Sequence, residues 1–112
     1  MQPMAPAVKV GTGLKFEIPL GYAMFIFSRS GHGFGFNTRL ANCVGVIDSD
    51  YRGEVMVKLT CDMIDEKSMP LTIMPGDRIA QACILPVPKV DFSWADELSE
   101  TSRTGGFGST GK

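Results

Sequence analysis

The stretch Glu54-Val55-Met56-Val57-Lys58-Leu59-Thr60-Cys61 decides the fold class. Val55, Val57 and Leu59 alternate with Met56, Lys58 and Thr60, and a period of two places the three aliphatic side chains on one face of a β-strand. Working outward, residues 13–18 alternate in the same way, with Leu14, Phe16 and Ile18 against Lys15 and Glu17. Further short apolar stretches at 22–27, 44–47, 71–73 and 79–87 complete the candidate strands. No window of a dozen residues keeps a helical period, so the sequence reads as β throughout. Turns are expected at Pro19-Leu20-Gly21, at Met74-Pro75-Gly76-Asp77 and within residues 62–70, where helix-hostile or φ-permissive residues gather. After Val90 the alternation fades, and residues 99–112 are mostly Ser, Thr and Gly with Phe107 as the one aromatic. The expectation is an all-β domain over residues 1–98 followed by a flexible C-terminal arm over 99–112.

A chain of 112 residues suits one domain, long enough to bury roughly two-thirds of the surface its unfolded form exposes. Eleven Lys and Arg against twelve Asp and Glu give a net charge of −1, with no cationic excess to hold a polyanion, so no nucleic-acid partner is expected. The apolar runs are broken by Gly, Pro or charge well short of the ~18 residues of a membrane span. The first residues, Met-Gln-Pro-Met-Ala-Pro-Ala, carry neither a basic nor an apolar signal region, which points to a cytoplasmic setting. Cys43, Cys61 and Cys83 are odd in number and far apart, and His32 is the sole histidine, a composition unsuited to a zinc cage or a disulfide framework.

Four polar clusters interrupt the apolar pattern. Ser28-Arg29-Ser30-Gly31 combines a forked cation, hydroxyls and a glycine, which fits either an anion site or a solvated turn. In Asn42-Cys43-Val44-Gly45-Val46-Ile47-Asp48-Ser49-Asp50-Tyr51-Arg52-Gly53-Glu54 an apolar strand ends on a carboxylate, suited either to general-base work on water or to capping a hairpin turn. Gly76-Asp77-Arg78-Ile79-Ala80-Gln81 is a turn entering a strand, structural when taken alone. In Arg103-Thr104-Gly105-Gly106-Phe107-Gly108-Ser109-Thr110-Gly111 the spacing of Gly106, Gly108 and Gly111 matches GxGxxG by letter only, since the dinucleotide fingerprint needs a strand before it and a helix after it. A Ser30, His32 and Asp48 nucleophilic arrangement has nothing to orient the imidazole and no elbow around the serine; His32 reads as a surface or half-buried residue.

Taken in order, the four clusters resemble motifs two to five of the trimeric dUTPase family, over nearly the whole chain. The most specific piece is Gly-Val-Ile-Asp-Ser-Asp-Tyr-Arg-Gly-Glu at 45–54. The resemblance implies a jelly-roll, β-clip type of barrel, a homotrimer with active sites between subunits, and a Mg²⁺-dependent hydrolysis of dUTP to dUMP and pyrophosphate. By the same resemblance Asp48 is the general base that activates the attacking water at the α-phosphorus. Tyr51 packs on the deoxyribose and excludes a 2′-hydroxyl, and Asn42, Gly45, Val46 and Ile47 form the hairpin that reads uracil. Arg29, Ser30 and the Gly31 N–H hold phosphates, Gln81 adds a contact, and Arg103 reaches the γ-phosphate. Phe107 stacks on uracil while Gly108 and Ser109 shape the closed arm. No protein side chain ligates the metal directly; phosphates and water hold it.

The family's first motif, an Ala-x-Gly-x-Asp-Leu-like segment expected ahead of Ala5-Pro6-Ala7, is absent. Either the start is truncated, another chain supplies that strand, or the domain is a shortened form with weak or altered activity; missing N-terminal strands would expose an edge, and the alternative is a non-catalytic nucleotide-binding or regulatory relative. A dCTP deaminase relative is disfavoured by the Ile47-Asp48-Ser49-Asp50-Tyr51 match. Ser28 stands where the family usually has Pro, and Arg103 lies four residues before Phe107, one fewer than the commonest spacing.

Overall fold

The structure is a computed structural model that describes residues 7–63, 71–103 and 105–106. Among them, six strands and one helix follow in the order β1 (Ala7–Gly11), β2 (Tyr22–Phe27), α1 (Ser30–Phe36), β3 (Thr38–Leu40), β4 (Gly45–Ile47), β5 (Met56–Cys61) and β6 (Gln81–Pro86). They form two three-stranded antiparallel sheets, β1-β5-β3 and β4-β2-β6.

The alternation in β5 sets the first sheet. Val57, Leu59 and Cys61 are buried while Met56 and Lys58 face out. Its partners align same-face residues with these: Val10 opposite Val57, Val8 and Leu40 opposite Leu59, Thr38 opposite Cys61. Met24 and Ile26 of β2 face them from the second sheet, and with Ile18, Leu40, Val55, Val57 and Leu59 they make the core. Gly45 is buried against Ile26, where a Cβ would lie 3.3 Å from the Ile26 Cβ, so glycine lets β4 pack this closely.

Residues 13–18 do not pair as a strand, although Phe16 and Ile18 turn inward as the alternation requires. The segment is tied down instead by the Val55 N–H donating to Leu14 O (2.9 Å), the Thr12 hydroxyl to Val55 O (2.8 Å) and the Gly13 N–H to Glu54 Oε2 (2.9 Å). Residues 71–73 are likewise no strand, yet Ile73 packs on the core. Strands β1 and β3 and helix α1 depart from the expected pattern. The helix carries glycine at 31, 33 and 35, a composition of low intrinsic helicity, and it closes on Asn37 in the left-handed region (φ 51°). The turn at 19–21 is present, with Tyr22 N–H to Pro19 O at 3.1 Å, as is the turn at 74–77, where Asp77 N–H reaches Met74 O at 3.0 Å and Met74 N–H meets Asp77 Oδ2 at 2.8 Å. Of the expected turn at 62–70, residues 64–70 lie outside the described residues.

Every described residue from 81 onward is exposed, including β6 itself. The radius of gyration is 19.3 Å, against about 13 Å for a compact chain of this length. The surface is 9545 Å², against about 6000 Å² for a compact monomer of this size. Apolar side chains share in that surface: Ile84, Leu85 and Val87 are half-exposed, Val90 more so, and Phe92 and Trp94 stand fully in solvent.

Candidate active site

Strand β2 organises the site by pairing with β6 on one side and β4 on the other. At its C-terminal end, Phe27 is level with Gln81. Beyond it Ser28 is held twice: its Oγ accepts the Leu40 N–H (2.9 Å) and its carbonyl accepts Gln81 Nε2 (2.9 Å). Gln81 therefore spends one amide proton on the fold, and the other has no partner among the described residues. Arg29 Nη1 donates to Arg78 O at 3.0 Å and stands 3.5 Å from His32 Nε2. Ser30 and Gly31 open α1, whose first intrahelical bond is Gly33 N–H to Arg29 O (3.1 Å). The clusters at 28–31 and 76–81 thus meet at one end of the molecule. Their chemistry is that of an anion site, with a guanidinium, a hydroxyl and free backbone donors together.

His32, expected at or near the surface, is buried at 8% exposure. Burial first, and then the Arg29 charge, push its pKa below 6.5, with Asp77 pulling the other way.

The cluster at 42–54 lies on the other edge. Asn42 precedes Cys43, which takes a positive φ of 69° as the chain turns toward β4. Val46 is exposed, while Ile47 packs on the core. Asp48 follows on a turn closed by Tyr51 N–H to Asp48 O (3.1 Å) and by Arg52 Nη1 to Ser49 O (2.6 Å). The Tyr51 hydroxyl donates to Glu54 O (2.8 Å), laying the ring over Gly53, where a Cβ would sit 2.5 Å from the Tyr51 oxygen. The sequence does not single out Gly53, because a glycine in a hairpin has a plainer reading than a seat for a tyrosine.

One chain does not bring these two halves together. Ile47 is level with Met24, so Asp48 stands level with Ala23, while Gln81 is level with Phe27 on the opposite side of β2. From Ala23 to Arg29 the chain runs about 20 Å at ~3.3 Å per residue. Arg103 is exposed, its Nε bonding within its own segment to Gly105 O (3.1 Å). Phe107, Gly108 and Ser109 lie outside the described residues. A cavity of about 710 Å³ opens elsewhere: an apolar groove between the sheets lined by Val8, Val10, Leu14, Phe16 and Ile79 among others. It is touched by Gln81 and Asp77 but by neither Arg29 nor Asp48. No described helix is long and apolar enough to cross a membrane.

Comparison with known proteins agrees with the order of the motifs. Residues 2–111 match the family model described as dUTPase. A deoxyuridine 5′-triphosphate nucleotidohydrolase of Desulfitobacterium hafniense is 51% identical over 106 residues, covering 93% of this chain and 68% of that protein. The enzyme of the same name from Dinoroseobacter shibae is 47% identical, covering 100% and 70%. Among solved structures, a point mutant of the Staphylococcus bacteriophage 80alpha dUTPase with dUpNHpp superposes at a TM-score of 0.78 with 23% identity, covering 96% of this chain and 78% of that one. A point mutant of the dUTPase of S. aureus phage phi11, described for the coordination of a structural Mg(II) ion, superposes at 0.69 with 18% identity, covering 88% and 77%. These structures share the fold, and the sequence matches go further: the chain belongs to the dUTPase family.

Proposed function

We propose that this protein hydrolyses dUTP to dUMP and pyrophosphate at sites completed between three copies of the chain. The observation that carries the reaction is the dUTPase family match across residues 2–111. The placement of the groups supports the division of labour. Asp48, on the turn after β4, takes a proton from water as that water attacks the α-phosphorus, a role that needs a free carboxylate and no covalent intermediate. Tyr51, fixed by its bond to Glu54 O, packs against the deoxyribose and leaves no room for a 2′-hydroxyl. The hairpin of Asn42, Gly45, Val46 and Ile47 reads the uracil edge, where a wrong base leaves polar groups unpaired. Arg29, Ser30, the Gly31 N–H and the remaining Gln81 proton hold the phosphates. Arg103 reaches the γ-phosphate, and Phe107, Gly108 and Ser109 belong to an arm, 99–112, that covers the site and excludes water.

In this reading Mg²⁺ is carried by the substrate's phosphates and by water, with no protein side chain as a direct ligand. Bound there, Mg²⁺ would offset the charge of the triphosphate and of the developing transition state. Nucleotide turnover of this kind accords with a cytoplasmic setting.

Pyrophosphate release from dUTP, beside dCTP, dTTP and UTP, tests the reading. Asp48→Asn should lower kcat by about 10²–10⁴ with little change in KM. Mixing refolded Asp48→Asn and Arg29→Gln chains should restore about a quarter of the activity, because random trimers then contain sites with both native residues. Absence of recovery in mixed trimers would refute shared sites, and dCTP deamination in place of dUTP cleavage would refute the reaction.

A further inference from the structure

His32 is the one histidine of the chain, and the nucleotide roles above leave it without a task. It sits in the first turn of α1 with Nε2 3.5 Å from Arg29 Nη1. Arginine can only donate, so this contact is a hydrogen bond in the neutral tautomer that leaves the lone pair on Nε2 and the proton on Nδ1. Nδ1 is buried and without a hydrogen-bond partner among the described residues, which leaves Arg29 as the ring's polar contact. The same Nη1 donates to Arg78 O at 3.0 Å. The guanidinium is thereby gripped from α1 and from the turn before β6, and Nη2 and Nε have no partner among the described residues.

We infer that His32 is a positioning residue for dUTP hydrolysis, its neutral imidazole fixing the Arg29 guanidinium in the orientation that receives the substrate's phosphates. This rests on the assignment of Arg29 to the phosphates made above. An imidazole suits the task better than a carboxylate would, because it accepts a hydrogen bond from the guanidinium fork without neutralising the charge the phosphates need. A side chain with four rotatable bonds loses less freedom on binding when an acceptor has already ordered it. Protonation ends the arrangement, since the imidazolium has no lone pair and sets a second cation against Arg29. The charged groups acting on the ring are Arg29, from the β2–α1 junction, and Asp77, from the turn before β6. Burial and Arg29 outweigh Asp77 and keep the ring neutral at physiological pH.

Steady-state kinetics of the assembled full chain between about pH 5.5 and 8, read with the imidazole NMR titration, test the inference. A single histidine makes that signal unambiguous. His32→Phe should raise KM for dUTP about fivefold to tenfold, a hydrogen bond's share, with kcat nearly unchanged. His32→Gln, which keeps a neutral acceptor, should restore KM near pH 7.5 and lack the acid-side rise in KM shown by the unmodified chain. Arg29→Gln should raise the imidazole pKa, and His32→Phe should add little on that background. An unchanged KM in His32→Phe beside a raised KM in Arg29→Gln would overturn this inference alone. Equal losses of kcat and melting temperature in both His32 variants would also overturn it, in favour of a packing role. An unchanged KM in Arg29→Gln would overturn the phosphate assignment, and the inference with it.

Discussion

Gly53→Ala probes the sugar-excluding role proposed for Tyr51 without touching a group assigned to chemistry. A Cβ built on Gly53 lies 2.5 Å from the Tyr51 oxygen, 2.7 Å from Cζ and 3.1 Å from Cε1. Restoring ordinary van der Waals contact needs about 1 Å of outward ring movement. The ring can make that movement, because Tyr51 is 43% exposed and Gly53 has no positive φ that would add backbone strain. The stability cost is then mainly the Tyr51 bond to Glu54 O, 2.8 Å long and exposed, or about 1 kcal/mol. Function should suffer far more, since a displacement of that size at a substrate-positioning group costs up to about 10²-fold in rate. The expected outcome is a ten- to hundredfold fall in kcat/KM for dUTP and a reduced preference for dUTP over UTP, with a melting temperature lowered by only a few degrees. Pyrophosphate release with both nucleotides, beside a thermal melt, measures each quantity. If Gly53→Ala kept both its rate and its discrimination, Tyr51 would not be the group that excludes the 2′-hydroxyl.

Two predictions concern the body of the fold. Leu59, 3% exposed between Val8 and Leu40, should cost about 2–5 kcal/mol when replaced by Ala, seen as a lower urea midpoint at unchanged slope. The His32 pKa lies below 6.5 in the folded chain, so the unfolded chain binds more protons between the two values. Stability should therefore be full above about pH 6.5, fall as pH drops through that value and level off below the folded pKa. Urea melts across this range should show the decline in the unmodified chain, and His32→Gln should flatten it.

Burial made part of this molecule legible and geometry hid the rest. Strand β2 occupies residues 22–27 as the sequence indicates, and β5 keeps the alternation that opened the reading. Residues 13–18 show that alternation reports burial and not pairing: Phe16 and Ile18 turn inward, while Glu54 and Val55 take the hydrogen bonds a neighbouring strand would have made. The three-residue β3 is too short to display a period, and α1, with three glycines in seven residues, has no helical signature. Tertiary contacts decide both. At the site, the residue types and their order were readable, but not that β2 holds Asp48 and Arg29 at opposite ends. Nor could the sequence show that a lone histidine would be buried against Arg29.

The separation within one chain and the exposure of the described residues from 81 onward have one common solution. Ile84, Leu85, Val87, Phe92 and Trp94 present apolar surface that no element of the same chain covers among the described residues, an arrangement a lone domain rarely sustains. In the trimer proposed above those side chains would be buried against neighbouring copies, and the same docking would carry the Asp48 turn of one chain to the Arg29 end of another. The hydrophobic surface would then supply the free energy for assembling the site, and the loops themselves would need no strong mutual attraction. Coupling of this kind ties activity to association: dilution that separates the chains should remove turnover in step with the loss of the trimer, while the strands and their cores persist.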